Sequence, residues 1–288
     1  MIGSRYHLDI LIHDPRDFVR RAVLFARRRW YRRLGRRVPR PVGGVTFTFD
    51  FTLPHHIDLM YLGLYESELI EVLRRHLAPG GVYVDVGASI GYVAAVAADL
   101  VGPAGQVHAF EPVPQYFANL ARLRDDNPAY AIVANCCAVG AEPGRRQIDV
   151  TSLPNIGWNT MVPGFMDGAS RREALPVEVV RLDDYLLARG LERLDLIKID
   201  TEGFEYHVLQ GLERFVRRVY PAIPALYVEV APQAYPLLGI TLDDLRRLLT
   251  DYGYRARAVD VDTPVDLTRL TRTTNVVLTA ARAAAAVR

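Results

Sequence analysis

The stretch GGVYVDVGASIGYVAAVAADLVGPAGQVHAFEPVP, residues 80–114, decides the fold of this chain. Val82, Tyr83 and Val84 form an apolar run that reads as a buried strand ending in Asp85. A tight turn carrying Gly87, Ser89 and Gly91 follows, then an alanine-rich helical segment. Gly102, Pro103 and Gly105 break that helix. A second apolar run, Val107 to Phe110, ends in Glu111. The pattern is strand, glycine turn, helix, strand, with a carboxylate closing each strand. It predicts a parallel β-α-β unit that holds an adenosine-containing ligand.

The turn itself narrows the ligand. Gly87 and Gly91 lack a Cβ, so the backbone turns sharply and lets a ligand come close. Glu111 lies 20 residues past Gly91, where a carboxylate accepts hydrogen bonds from both ribose hydroxyls. A dinucleotide site asks for G-x-G-x-x-G and a helix N-terminus open to a pyrophosphate. Here Ser89 stands in place of the central glycine. Asp85 would repel a pyrophosphate and suits an ammonium or sulfonium group instead. S-adenosylmethionine (SAM) carries both. A nicotinamide-dependent enzyme remains the competing reading, and a non-catalytic SAM-binding protein a third.

The chain resembles the SAM-binding region of class I methyltransferases, and specifically the FkbM-type family. The matching pieces are Tyr65-Glu66, VDVGASIGY, HAFEPVPQYFANL, NCCAVG at 135–140, VVRLDDYL at 179–186, DLIKIDTEGFEYHVLQG at 195–211 and LYVEV at 226–230. Together they cover about residues 60–280, with KIDTEGFE and AFEPVP the specific ones. Ser89, Thr201 and Phe204 stand where asparagine, valine and alanine are common in the family. The resemblance implies a Rossmann-like α/β fold with a mostly parallel seven-stranded sheet, helices on both faces and a final antiparallel hairpin. It implies SAM-dependent methyl transfer to a hydroxyl of a sugar, glycan or secondary metabolite. It places Glu66, Asp85, Gly87, Ser89, Gly91, Glu111 and Cys137 at the cofactor.

A second constellation sits on the same sheet edge. Asp200 ends the fourth core strand, Glu202 and Glu205 follow, and Glu229 closes the fifth strand. Open α/β sheets bind ligands at the carboxyl ends of their strands. Four carboxylates near one cleft need a cation, a proton or a cationic ligand. Three readings stay open. Asp200 or Glu202 acts as general base. Asp200 and Glu229 hold Mg²⁺ through oxygen ligands. Glu202 and Glu205 merely cap the next helix. No second acidic residue adjoins Glu229, which argues against an obligatory ion. Lys198 is the only lysine in the chain and is placed to neutralise one of these carboxylates. The excursion SLPNIGWNTMVPGFM, residues 152–166, offers Asn155, Trp158 and Asn159 as acceptor contacts, or a loop packed by its own Trp.

Length and composition bound the rest. With 288 residues and half of them hydrophobic, one α/β domain plus an appendage is expected. A net charge of +2 makes no case for nucleic acid. Cys136 and Cys137 are adjacent and pair badly with one another, which suits a reducing compartment. No apolar run reaches the roughly 18 residues of a membrane span. A cytoplasmic protein is therefore expected. The division expected is an extension over residues 1–60, the methyltransferase domain over 61–280 and a tail over 281–288. Eleven arginines lie between Arg16 and Arg40, interleaved with apolar residues at helical spacing. That predicts an amphipathic helix stopped by Pro39 and Pro41. Its expected role is packing on the core or a second subunit, as in a homodimer. Peripheral contact with an anionic membrane is the alternative.

Overall fold

The computed structural model describes residues 19, 22–23, 26–27, 29–31, 33–53, 57–151, 158–166, 171–259 and 263–281. Two compact units divide the chain: Met1–Arg40 with Thr48–Tyr65, and Pro41–Phe47 with Glu66–Arg288. The smaller unit runs to Tyr65, and residues 41–47 belong to the larger one.

In the smaller unit, the described residues from 19 to 33 are helical. Residues 16–18, 20, 21, 24, 25, 28 and 32 of the expected helix lie outside the described residues. The helix stops earlier than Pro39 and Pro41 suggest. Gly35 takes φ +60°, and Arg36 N donates to Tyr31 O at 2.9 Å. That six-to-one bond is the signature of a Schellman stop, which a glycine in the left-handed region permits. Pro39 and Pro41 instead lie in strand β1 (Arg37–Val42), which forms a two-stranded sheet with β2 (Val45–Asp50). A two-stranded ribbon has only edges, so proline costs it no ladder bond. Phe49 and Phe51 meet the Tyr61 ring edge-on at 5.3 and 5.8 Å. The expected helix over 61–77 is two helices, Ile57–Leu62 and Ser67–His76, separated where Gly63 and Glu66 take positive φ.

The larger unit carries the sheet. Its strands are β3 (Val82–Val86), β4 (Gln106–Phe110), β5 (Ala131–Asn135), β9 (Leu196–Ile199), β10 (Ala225–Val230), β11 (Tyr254–Ala258) and β12 (Thr274–Ala280). Their order is β11-β12-β10-β9-β3-β4-β5, and only β12 runs against its neighbours. The parallel strands are buried on both faces, as VYVDV and LIKI require, so they show no polar alternation. The chain leaves β3 towards β4 and β5, then returns to build β9 and β10 on the other side. The carboxyl ends of β3 and β9 therefore flank the point where strand order reverses, where such sheets take ligands.

A second sheet of three strands holds β6 (Ala138–Gly140), β8 (Arg171–Arg181) and β7 (Gly144–Thr151), in the order β6-β8-β7. The expected hairpin of 146–151 with 177–181 is present and longer, and β6 adds a parallel strand the sequence did not announce. The helix expected over 203–218 is two, Glu205–Gln210 and Glu213–Val219. Gly211 stands between them, where a side chain would strike the Gly140 carbonyl of β6. Among the described residues no helix is long and apolar enough to cross a membrane. Residues 282–288 of the tail lie outside the described residues.

Asp183 locks this region. It is wholly buried and accepts from Phe215 N at 2.8 Å, Arg214 N at 3.1 Å and the Arg181 guanidinium at 2.9 and 3.0 Å. It thus joins the helix Leu182–Ala188 to the N-terminus of the helix Glu213–Val219. Truncating it strands buried donors and a guanidinium. Asp183→Ala is expected to lower the unfolding free energy by about 3–5 kcal/mol in urea titration.

Candidate functional site

Asp85 in β3 and Lys198 in β9 are partners in a parallel register, so their side chains leave the same face of the sheet. Both are buried. Lys198 Nζ stands 3.5 Å from Asp85 Oδ1 and 3.1 Å from Asp200 Oδ2, and donates to Gly87 O at 3.0 Å. Burial alone would lower the lysine's pKa, yet Asp200 and Asp85 hold it well above its ordinary value. Asp85 is pushed up by burial and pulled back by Lys198. The cation beside Asp85 is the chain's own Lys198.

A Cβ on Gly87 would collide with the Asp200 carbonyl, and one on Gly91 would crowd Leu120 Cδ1 at 2.9 Å. Both positions also carry positive φ, +83° and +87°. Glycine is thus demanded by the chain's packing on itself, before any ligand enters. Ser89 takes φ 51° and turns its N–H to Glu111 Oε2 at 2.9 Å. Val113 N donates to Glu111 Oε1 at 2.8 Å. Glu111 is buried, and burial raises its pKa to about 7 against the pull of those two N–H groups. Each oxygen keeps a second lone pair, which is the acceptor set a ribose diol needs.

Cys136 and Cys137 are both free thiols in the loop after β5. Burial pushes the Cys137 thiol up to about 11, so it stays protonated and inert. Of the two, Cys136 feels the Glu111 carboxylate, whereas Cys137 feels Cys136 and Glu178. Glu66 sits at φ 47° before the helix Ser67–His76, and its charge is felt by Lys198, Tyr83 and Tyr227.

The second constellation does converge. Asp200, Glu202 and Glu229 each offer a carboxylate oxygen, and these atoms all lie within 4.8 Å of one another. Burial, then Asp200 and Glu205, raises Glu202 to about 9. Burial, then Asp200 and Glu202, raises Glu229 to about 10. Glu205 stands apart. Its Oε1 accepts from Gly203 N at 2.8 Å, Thr201 Oγ1 at 3.1 Å and Thr201 N at 3.2 Å. It latches the loop that precedes the helix Glu205–Gln210. Three oxygens at this spacing also suit a hard divalent cation such as Mg²⁺.

A cavity of about 400 Å³ opens over the carboxylates. Its lining includes Trp158, Phe165, Met166, Gln233, Glu202 and Glu229. Thr160 Oγ1 donates to Glu202 O at 2.7 Å and so ties the 158–166 segment to the carboxylate loop. Of the expected acceptor contacts, Trp158 lines this cavity and Asn155 lies outside the described residues. Asn159 turns its Oδ1 to Thr151 N at 3.2 Å, a bond within the excursion. Sequence reasoning missed Phe165, Met166 and Gln233. The aromatic and thioether residues of the 152–166 excursion were their available signal.

Residues 85–256 match the family described as the methyltransferase FkbM domain. The chain belongs to the FkbM methyltransferase family. It is 35% identical over 166 residues to the 31-O-demethyl-FK506 methyltransferase FkbM of Streptomyces tacrolimicus, covering 48% of this chain and 61% of that one. It is 31% identical over 157 residues to methyltransferase sdnD of Sordaria araneosa, covering 45% and 60%. The chain thus spans about three-fifths of the length of these curated relatives. A crystal structure of an FkbM methyltransferase from Methylobacillus flagellatus KT aligns at a TM-score of 0.41 and 20% identity, over 79% of this chain and 56% of that one. Within this FkbM chain the family match begins at Asp85 and takes in both constellations.

The raised carboxyls carry a stability signature. Folding favours their protonated forms, so their contribution is full below about pH 4.5 and is lost as pH rises through 9–10. Glu202→Gln and Glu229→Gln are expected to melt higher than the parent at pH 8 and alike at pH 4, by scanning calorimetry. No difference at pH 8 would overturn the protonated assignment.

Proposed function

We propose that this FkbM-family chain transfers a methyl group from SAM to a hydroxyl on a sugar, glycan or secondary metabolite. The observation that carries the reading is the cavity whose floor is Glu202 and Glu229 and whose walls include Trp158, Phe165 and Met166. It offers an apolar face for an acceptor body and carboxylates for its hydroxyl. SAM, when bound, supplies a methyl group activated on a sulfonium. Glu111 accepts from the ribose hydroxyls, with Ser89 N and Val113 N fixing its orientation. Gly87 and Gly91 shape the turn beside it, and Lys198 holds the strand ends together.

With SAM bound, the acceptor hydroxyl would lose its proton to Glu202 or Asp200 as the new C–O bond forms and the methyl–sulfur bond breaks, the cofactor leaving as the neutral thioether. Glu202, raised to about 9 by burial and its carboxylate neighbours, is a strong base once deprotonated. Alignment of acceptor and donor supplies most of the remaining acceleration. Mg²⁺ on Asp200, Glu202 and Glu229 is the second reading, favoured by the 4.8 Å cluster. A cation there would displace the protons of Glu202 and Glu229 and acidify the acceptor hydroxyl directly.

Three measurements test this. Glu111→Ala is expected to weaken SAM affinity at least tenfold in calorimetry, about 1.4 kcal/mol or more. Unchanged affinity would refute the cofactor assignment. Glu202→Gln is expected to lower kcat by about 10²–10⁴-fold with KM for SAM little changed. Without added metal, kcat is expected to climb from pH 7 towards 9 as Glu202 deprotonates. Loss of activity in EDTA, restored by Mg²⁺ with a flatter pH profile, would replace the base by the metal.

A further inference from the structure

The helical residues 19–33 show a surface that the methyl-transfer chemistry does not use. At about 100° per residue, Val19, Val23, Ala26, Trp30 and Leu34 fall within about 80° of one another. All five are exposed, with Trp30 at 63% and Val19 at 59% of full accessibility. Arg27 borders the stripe on one side, and Arg33 and Arg29 on the other, all three exposed. Tyr31 points about 100° away from Trp30 around the helix, and its ring meets Phe51 at 4.9 Å. Within the smaller unit Tyr31 is the side of the helix that meets Phe51, and the described residues of the valine–tryptophan stripe are exposed.

Charge decides what covers it. No acidic residue occurs between Asp17 and Asp50, while ten arginines do. A second copy docking stripe to stripe would bring these arginines against their like. Nucleic acid would satisfy the arginines but would strand the valine–tryptophan stripe in water. An anionic lipid surface satisfies both: acyl chains take the apolar stripe, headgroup phosphates take the bordering guanidinium groups, and indole favours the boundary. We propose that this helix lies in the surface of an anionic phospholipid bilayer and docks the chain there without crossing it. The docking is independent of the methyl-transfer reading and of its cavity.

The test uses the full chain and sedimentation with vesicles of phosphatidylglycerol and phosphatidylcholine, against phosphatidylcholine alone. Binding to the anionic vesicles is expected to be at least tenfold tighter and to weaken as salt rises. Trp30→Ala and the triple variant with Arg27, Arg29 and Arg33 changed to Gln are each expected to weaken it at least tenfold. Their thermal melting is expected to stay that of the parent, because these side chains are exposed. A Trp158→Phe chain keeps Trp30 as its single tryptophan, and its emission is expected to shift to the blue on anionic vesicles. Failure of the parent chain to sediment at low salt overturns the proposal. So does sedimentation unaffected by Trp30→Ala, a dimer in light scattering that Trp30→Ala dissociates while vesicles stay unbound, or binding of nucleic acid without binding of vesicles.

Discussion

A single buried cation holds the functional edge of this chain together. Lys198 faces Asp85 across the β3–β9 register, reaches Asp200 beyond the strand end and donates to the Gly87 carbonyl. Parallel neighbours in register point to one face, so this contact is a consequence of pairing LIKI with VYVDV. The Asp85 carboxylate accepts no hydrogen bond among the described residues, so Lys198 is what answers its charge. Removing a cation from such a place leaves uncompensated buried carboxylates, which costs far more than an exposed pair would. The lysine also fixes the mouth of the glycine turn, because Gly87 lies against Asp200 too closely for any side chain.

One cation cannot answer every carboxylate on this edge. Burial together with Asp200 drives Glu202 and Glu229 well above neutral pH, and for Glu202 the pull of Lys198 does not offset it. Such a group holds its proton until a cation arrives or a substrate demands a base. The edge is also strained. Among the described residues, the three that are not glycine and take positive φ are Glu66, Ser89 and Glu202. Glu66 precedes the helix Ser67–His76, Ser89 lies in the turn after β3 and Glu202 in the loop after β9. Non-glycine residues are held in that region only when their surroundings enforce it, which is common at functional sites. Ser89 shows the enforcement directly: its N–H is tied to Glu111.

The methyltransferase core and the arginine-rich helix obey different rules. The core strands bury both faces and read as continuous apolar runs. The helix keeps its valine–tryptophan stripe in solvent. Periodicity alone identifies such a stripe in either situation. It does not tell whether a core, a second protein or a lipid surface covers it.

Local pattern in the sequence determined the β-α-β unit, the order of strands and helices, the two carboxylates at Asp85 and Glu111, and the gathering of Asp200, Glu202 and Glu229 at one edge. Each follows from apolar runs, glycine punctuation and the rule that strand ends share an edge. What lay beyond it depends on residues far apart in the chain. Gly211 is glycine because the Gly140 carbonyl of β6 lies against it, and Gly35 ends a helix before the prolines do. Gly87 is glycine because Asp200 lies against it, and Asp85 answers to Lys198 across 113 positions. Glu205 latches a loop, while Glu202 three residues earlier lines a cavity. Hydrogen-bond partners, burial and field strength are set by tertiary neighbours, so only the folded chain could assign two like carboxylates to opposite tasks.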